Sequence, residues 1–425
     1  MARERAVDVL IIGGGPAGTA AAAELARSGI AAVVLTCDEA IPPVRGELVS
    51  PAAVAVLDRL GATAAVRALR SSSPATATVV SSRDGRHRST WGFANRPGVP
   101  ARGIFVDRGE LEGALRAHAA AAGAEVLSGW KATHLEWESN RLTAVQASDA
   151  QGRDWRFTCR AVLDASGRAT FIADRMGWRF PLPVLGYRAT SVIANSSTQN
   201  ERGTDRFARL VWTDGGWLWL IPLGDSRVAV TGVWVREHQN PGADWLSHAA
   251  TAPAVADLVD PRSIGTAPAL QRICHRVMNL AGPGVGLIGD AAGFVDPFFA
   301  TGLVVALAAG ESAAADVRDG LLSRGRVEGD DLAPTVTLIR AMHRATFRAT
   351  RALQSRTFRR LLTSPPRLPL IVSSLGALFA GDIVRPGRTL RFAGVPVLVA
   401  LAALARVRPG WRYRFVRAGN RGKRG

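Results

Sequence analysis

Three glycines near the start of the chain constrain its fold more than any other feature. Val7–Ile12 is a short apolar run of the kind found in buried parallel strands, and it leads directly into Gly13, Gly15 and Gly18. An alanine-rich helical stretch follows and ends at Gly29. In such a unit the first glycine permits a tight turn, the second lets backbone amides approach a pyrophosphate, and the third lets helix and strand pack closely. The sequence therefore predicts a strand–helix–strand unit that binds a dinucleotide.

An acidic residue after the second strand of such a unit accepts a hydrogen bond from a ribose hydroxyl. Asp38 follows the apolar run Ile30–Leu35 and is the candidate, with a solvated turn residue as the alternative. A second match to the glycine spacing, from Gly284 to Gly289, precedes and interrupts an apolar strand instead of joining a strand to a helix. We therefore expect one dinucleotide site and no separate nicotinamide-nucleotide domain.

Composition excludes several other classes of protein. A chain of 425 residues that is 47% hydrophobic is long enough for two substantial domains with real cores. Cys37, Cys159 and Cys274 are far apart and show no C-x-x-C spacing, so neither a disulfide framework nor a metal site is predicted. The first residues run straight into a strand without a signal peptide, which leads us to expect a cytoplasmic protein.

Four further segments stand out, in chain order: RGELVSPAAVAVLDRLG (45–61), VDRGELEGALRAHAAAAGAEV (106–126), VLDASGR (162–168) and GLIGDAAGFVDPFFATGL (286–303). With these segments the chain resembles the flavoprotein monooxygenases with the p-hydroxybenzoate hydroxylase fold, and within them the flavin-dependent halogenases and their relatives. The resemblance implies that the dinucleotide is FAD. It also implies cofactor-binding roles for residues of all four segments: Arg45, Arg108, Asp164, Gly167, Gly289, Asp290, Thr301 and Gly302.

Three of these side chains also have a purely structural interpretation. Arg108 could form a surface ion pair, Asp164 could close a strand in a turn, and Asp290 could cap a helix.

The expected fold class is α/β, with a Rossmann-type FAD-binding domain, an interleaved and mostly antiparallel β-sheet substrate domain, and a helical C-terminal region packed on the outside. The expected boundaries are 1–70, 100–175 and 280–325 for the first domain, 71–99 and 176–279 for the second, and 326–425 for the C-terminal region.

A tryptophan-rich stretch lies between the third and fourth segments. Its residues 217–222, WLWLIP, match the WxWxIP signature of flavin-dependent halogenases, where the motif lies between the flavin and the substrate chamber. An ordinary aromatic strand face is the alternative interpretation. We expect the apolar lining of a substrate chamber to comprise Trp217, Trp219, Pro297, Phe298 and Phe299.

The lysine with which these halogenases position hypohalous acid is missing from the corresponding stretch, 71–93. Only Lys131 and Lys423 are lysines, and arginine is no nucleophile because its guanidinium stays protonated. The resemblance therefore favours hydroxylation of an indole- or phenol-type substrate, free or bound to a peptide or carrier protein, through a hydroperoxide of the reduced flavin. A separate flavin reductase is a candidate electron donor. Halogenation is one alternative, and reduction of an isoprenoid chain, as in geranylgeranyl reductase-like flavoproteins, is the other.

The net charge of +18 belongs to the C-terminal residues. Residues 340–425 carry nineteen basic residues against one acid, Asp382, whereas residues 1–339 balance. Two apolar runs, 368–381 and 392–405, are each too short to span a bilayer. A solvated basic tail is the default interpretation; docking of an acidic partner or of an anionic membrane surface is the alternative, and no specific nucleic-acid module is recognisable. Four arginines recur at helical spacing in this region: Arg340, Arg344, Arg348 and Arg351.

Overall fold

The computed structural model describes most of the chain up to residue 383. The described residues are 3–37, 46–93, 99–182, 187–197, 207–213, 215–235, 246, 250–256, 258–265, 273–295, 297–353, 355–365 and 369–383.

The strands and helices of these residues are numbered in chain order. The strands are β1 (Arg3–Ile12), β2 (Ala32–Thr36), β3 (Gly46–Val49), β4 (Ser73–Ala75), β5 (Ala77–Ser81), β6 (Arg88–Gly92), β7 (Gly103–Asp107), β8 (Glu125–Ser128), β9 (Lys131–Glu138), β10 (Arg141–Ser148), β11 (Asp154–Asp164), β12 (Arg179–Pro181), β13 (Tyr187–Asn195), β14 (Phe207–Thr213), β15 (Gly216–Pro222), β16 (Arg227–Val235), β17 (His275–Val277), β18 (Ala281–Gly282), β19 (Val285–Leu287) and β20 (Gly293–Phe294). The α-helices are α1 (Pro16–Arg27), α2 (Pro51–Arg59), α3 (Thr63–Arg67), α4 (Arg108–Ala121), α5 (Phe171–Arg175), α6 (Pro253–Ala256), α7 (Gly302–Arg324), α8 (Ala333–Leu353), α9 (Arg356–Thr363) and α10 (Pro369–Phe379). Short 3₁₀ turns cover Gly167–Ala169, Pro261–Ser263, Gly289–Ala292 and Gly329–Leu332.

A parallel sheet forms the first layer of the fold. Its order is β18–β19–β11–β1–β2–β8, and β10 and β9 extend it as an antiparallel ribbon from β11. The pairs β1–β2, β1–β11, β2–β8 and β11–β19 are parallel, so these strands end at one common edge. Val9–Ile12 are buried, as expected of a strand that is covered on both faces. The predicted α/β class is therefore confirmed, and the parallel sheet presents its carboxyl edge to the glycine motif.

Helices α1 and α7 cross at very close range on this sheet. A Cβ at Gly310 of α7 would collide with the carbonyl oxygen of Ala17 in α1 and would lie 2.9 Å from the Cβ of Ala20. Alanines and glycines at the crossing thus bring the two helix backbones together. Helix α1 ends before Gly29, which has φ of +75°, at the position that the sequence predicted.

A second sheet of six strands is mostly antiparallel. Its order is β13–β16–β15–β14–β5–β6, and its pairs are antiparallel except for β14 with β5. The tryptophan-rich stretch thus forms the antiparallel strands that its alternating pattern predicts. Smaller sheets join β3–β7–β4 and β12–β17–β20. The domain boundaries themselves remain predictions.

The described part of the C-terminal region is helical. Its last helix, α10, covers most of the apolar run 368–381, and its Phe379 is buried against Trp91, Phe298 and Phe299. This helix therefore closes the interior instead of packing on the outside, because its apolar face completes an aromatic cluster. The run 392–405 and the basic tail lie outside the described residues. None of the helices described is both long and apolar enough to cross a bilayer.

Candidate functional site

The glycine motif lies where the parallel strands end. Gly13 has φ of +114° and its Cβ would collide with the carbonyl oxygen of Ala165, so only glycine fits there. Gly18 packs equally closely, because a Cβ at this position would strike the Gly13 carbonyl. A Cβ at Gly15, by contrast, would meet only open space in front of α1. This helix begins with no side-chain cap, so the amides of its first turn face a space that an anionic group can enter.

The loop after β11 lies beside the glycine turn. The Asp164 carboxylate is fully buried and accepts hydrogen bonds from the backbone amides of Ser166, at 3.0 Å, and Ile172, at 2.7 Å. Burial raises the pKa of Asp164, while these hydrogen bonds oppose the increase. The structural interpretation thus accounts for the contacts of Asp164, which holds the loop in shape. Gly167, with φ of +64°, turns this loop toward the open space, and Arg168 follows it.

The turn Gly289–Ala292, which follows β19, carries the second predicted acid. Gly289 has φ of +59°, and a Cβ there would lie 2.8 Å from the Cβ of Ala17. The carboxylate of Asp290 makes no hydrogen bond with any residue that the structure describes. Burial raises the pKa of Asp290 to about 6, and Arg108 and Arg168 partly oppose that increase. Its backbone carbonyl accepts a hydrogen bond from the His275 ring at 3.0 Å, so the turn is anchored while its carboxylate is not.

Arg108 begins α4 and lies between two carboxylates. It contacts Glu47 of β3 at 2.5 Å and Glu112, one helical turn further along α4, at 2.7 Å. Burial disfavours the charge of Arg108, but the two glutamates more than compensate and raise its pKa. Glu112 also lies 3.9 Å from Arg116, whose side chain would contact a Cβ at Gly14. The ion-pair interpretation of Arg108 thus describes its contacts, and a charged network links α4 to the glycine turn.

The predicted chamber residues form one aromatic wall on the other side of this edge. On β15 Trp217 and Trp219 share the face that packs into the main hydrophobic core, whereas Leu218 and Leu220 face the opposite side of the sheet. The ring of Phe298 lies 5.3 Å from that of Trp217 and 4.9 Å from that of Phe299. Pro297 precedes these two phenylalanines and is half-buried.

The wall adjoins the charged network at β3. A Cβ at Gly46 would collide with the Cβ of Ala229 and would lie 3.3 Å from that of Ile221, so β3 touches the second sheet directly. Glu47, the partner of Arg108, is the next residue along β3. Strand β3 therefore connects the charged edge to the sheet that carries the aromatic wall.

Three indole N–H groups of the wall and its neighbours are buried without an acceptor in the described part of the chain. They belong to Trp212, Trp217 and Trp219. A buried donor without a partner reduces the stability of the fold by about 1–3 kcal/mol, so such groups usually donate to a ligand or a water molecule.

Thr301 and Gly302 stand at the start of α7. The Thr301 side chain is buried and lies 3.5 Å from the hydroxyl of Thr346, so it faces α8. Ala300, with φ of +51°, forms the turn into the helix, and no side chain caps its first amides. These amides are available to an anion or a polar cofactor edge.

The residues at this edge fit a dinucleotide: an uncapped helix start at an open glycine, a carboxylate without a hydrogen-bond partner, and nearby arginines. A protein-family comparison agrees, since residues 6–310 match the FAD binding domain family. The chain belongs to this family. The family's cofactor is FAD, and the flavoprotein resemblance read from the sequence is confirmed.

Curated relatives of this chain differ in activity. The 1H-pyrrole-2-carbonyl-(peptidyl-carrier protein) chlorinase of Pseudomonas fluorescens is 28% identical over 339 residues, which cover 73% of this chain and 75% of the relative. A menaquinone reductase of Mycobacterium tuberculosis is 29% identical over 338 residues, covering 74% of this chain and 77% of the relative. A solved flavoprotein/dehydrogenase from Cytophaga hutchinsonii has a TM-score of 0.81 and 19% identity, covering 95% of this chain and 98% of that chain, which shows the shared fold.

Two predicted FAD contacts, Asp38 and Arg45, lie outside the described residues. The structure adds residues that sequence reasoning did not select: Glu47, Arg168, His275 and Phe379. Glu47 and Arg168 belong to segments already quoted for the resemblance, so their position within these motifs was the available signal. For His275 and Phe379 no sequence signal existed, because their roles depend on packing between distant segments. The FAD-contact roles of the predicted residues remain predictions.

Proposed function

We propose that the protein is an FAD-dependent oxygenase that hydroxylates an electron-rich aromatic ring of the indole or phenol type. The observation that carries the proposal is the aromatic wall of Trp217, Trp219, Phe298 and Phe299, in which the two phenylalanines follow the turn of Asp290 by a few residues along the chain. Aromatic faces bind flat aromatic substrates by offset or edge-to-face contact.

The described lysine does not fit the halogenase role. Lys131 begins β9 in the ribbon that extends the parallel sheet, and its side chain is exposed. The described part of the stretch 71–93 carries no lysine. A halogenase-like wall without the lysine that handles hypohalous acid favours direct use of oxygen over halide oxidation.

The chain's own residues would bind and orient the substrate and exclude water from it. Trp217 and Phe298 would provide apolar faces that exclude water from the reacting atoms. The indole N–H groups of Trp217 and Trp219 would donate hydrogen bonds that fix the ring's orientation. Bound FAD, once reduced, supplies two electrons, so that one atom of O₂ becomes the new hydroxyl and the other leaves as water.

Two alternatives are supported by curated relatives, and several of these relatives are flavin-dependent halogenases. The chlorinase acts on a carrier-protein-bound pyrrole by its name, which supports halogenation and also a carrier-bound substrate for this chain. The menaquinone reductase supports reduction of a hydrophobic substrate without oxygen. The missing lysine speaks against the first, and the tightly packed aromatic wall, which differs from an open tunnel for a long chain, speaks against the second.

The test supplies chemically reduced FAD to the purified protein with indole, phenol and carrier-bound pyrrole substrates. Each reaction is run with O₂ in halide-free buffer, with O₂ and bromide, and without O₂ but with a polyprenyl quinone. Gain of one oxygen atom that does not depend on bromide supports hydroxylation. A bromide-dependent mass gain establishes halogenation in its place, and gain of two hydrogens without O₂ establishes reduction.

A further inference from the structure

The cofactor edge contains an arginine that forms no ion pair within the described ranges. Arg108 contacts Glu47 and Glu112, and Arg116 lies near Glu112. Arg168 makes neither a hydrogen bond nor an ion pair with any residue in the described ranges, although its side chain is half-buried. Burial lowers the pKa of Arg168, and the charge of Asp290 only partly opposes this effect. A desolvated guanidinium without acceptors is costly unless a ligand provides them.

Arg168 stands between the two turns that frame the cofactor edge. Its own turn, Gly167–Ala169, packs against the turn Gly289–Ala292 that carries Asp290. Three residues earlier, the Ala165 carbonyl touches the Gly13 turn at the start of the open space. The loop is held in this position by the buried Asp164 carboxylate.

We propose that Arg168 binds the diphosphate of FAD. A guanidinium matches two phosphate oxygens with parallel hydrogen bonds. Without Arg168, the acids of this edge (Glu47, Glu112 and Asp290) outnumber the two arginines Arg108 and Arg116, so a diphosphate would meet a net negative surface. Arg168 makes the count of acids and arginines equal, so the surface no longer repels the diphosphate, and this holds whichever reaction the protein catalyses.

The test measures binding of three probes, FAD, ADP and riboflavin, to the purified full-length chain by calorimetry or flavin fluorescence. ADP contains the diphosphate without the flavin, and riboflavin contains the flavin without phosphate. Arg168→Gln is expected to weaken FAD and ADP alike, by about 10- to 100-fold, and to leave riboflavin unchanged. Arg168→Lys should restore part of the loss, because it keeps the charge but not the paired donors. Arg175→Gln is the matched control, since this nearby exposed arginine donates to the Phe171 carbonyl and should not affect any probe.

Three outcomes would overturn the proposal. Unchanged ADP affinity in Arg168→Gln would mean that the side chain does not contact the diphosphate, even if FAD binds more weakly. Equal weakening of riboflavin would assign Arg168 to the flavin instead. A large fall in the thermal midpoint of the FAD-free variant would show a structural role, because removal of an uncompensated charge should leave stability equal or higher. Failure of hydroxylation with intact ADP results would leave this proposal standing and reject only the proposed reaction.

Discussion

Replacement of Asp290 by asparagine should stabilise the FAD-free protein while weakening its affinity for FAD. Burial raises the pKa of this carboxyl to about 6, from an ordinary value of 3.8. A raised pKa means that the folded protein binds a proton more tightly than the unfolded chain does. Stability is therefore highest at low pH, falls as pH rises from about 4 to about 6, and stays constant above. Asparagine resembles the protonated carboxyl and should remove this loss.

The magnitude follows from the size of the pKa increase. The pKa of Asp290 is raised by about two, and at about 1.36 kcal/mol per pKa unit this gives about 3 kcal/mol, an upper bound because the side chain is half-buried and partly screened by water. We expect Asp290→Asn to raise the unfolding free energy at pH 8 by about 1–3 kcal/mol and to have almost no effect at pH 4. In the holoprotein the carboxylate would accept a hydrogen bond from a sugar hydroxyl, so the same variant should bind FAD about tenfold more weakly at pH 8.

The assay is denaturant unfolding of FAD-free protein at pH 4 and pH 8, with FAD titrations of the folded protein at pH 8. Asp149→Asn is a control for which the opposite change in stability is expected. The pKa of Asp149 is lowered to about 2 because hydrogen bonds from Arg153, Trp155 and Gln151 outweigh burial, so this group stabilises the folded state above about pH 4. Its replacement should destabilise the protein at pH 8. If Asp290→Asn instead destabilises the FAD-free protein at pH 8, or changes stability equally at both pH values, the ionised Asp290 carboxylate does not destabilise the FAD-free fold and the reasoning is refuted.

Two further substitutions test other parts of the site. Trp217→Phe removes an indole N–H that lacks an acceptor but also leaves a small cavity in the core, so FAD-free stability should fall by about 1–2 kcal/mol while KM for the aromatic substrate rises several-fold; an unchanged KM would exclude the N–H as a substrate donor. Gly310→Ala should lower stability by about 1–3 kcal/mol because its Cβ meets the Ala17 carbonyl. Gly113→Ala, which meets no atom within 4 Å in α4, should instead raise stability by about 0.5–1 kcal/mol, and equal effects of the two would refute the packing argument.

The local parts of this fold can be predicted from the sequence because they depend on residues that are close together in the chain. The spacing of Gly13, Gly15 and Gly18 predicts the turn, the helix start and the close helix packing, and the structure has all three. The alternation of Trp217 and Trp219 with leucines likewise predicts which side of β15 faces the core. Each of these depends only on backbone conformation or on the two-residue period of a strand.

The remaining features depend on contacts between distant segments. The sequence predicts that Arg108 lies near the flavin. The ion pair with Glu47, which compensates the charge of Arg108, depends instead on β3 lying against the start of α4. Asp164 is found in a cofactor motif, but its hydrogen bonds go to its own loop. The entry of Phe379 into the aromatic cluster depends on a helix that begins about 350 residues after the glycine motif. Neither spacing nor composition encodes such partners.

The segment from Gly289 to Gly302 links the two halves of the site. At its start Asp290 is anchored through its carbonyl by His275, and near its end Phe298 packs on Trp217. Helix α7 then fixes the segment to α1 at the Gly310 crossing, directly behind the glycine turn. Because one rigid crossing positions both the cofactor edge and the aromatic wall, Gly310→Ala should alter FAD affinity and substrate KM together. Trp217→Phe should alter KM alone, so the pair of variants distinguishes displacement of the whole segment from loss of one contact.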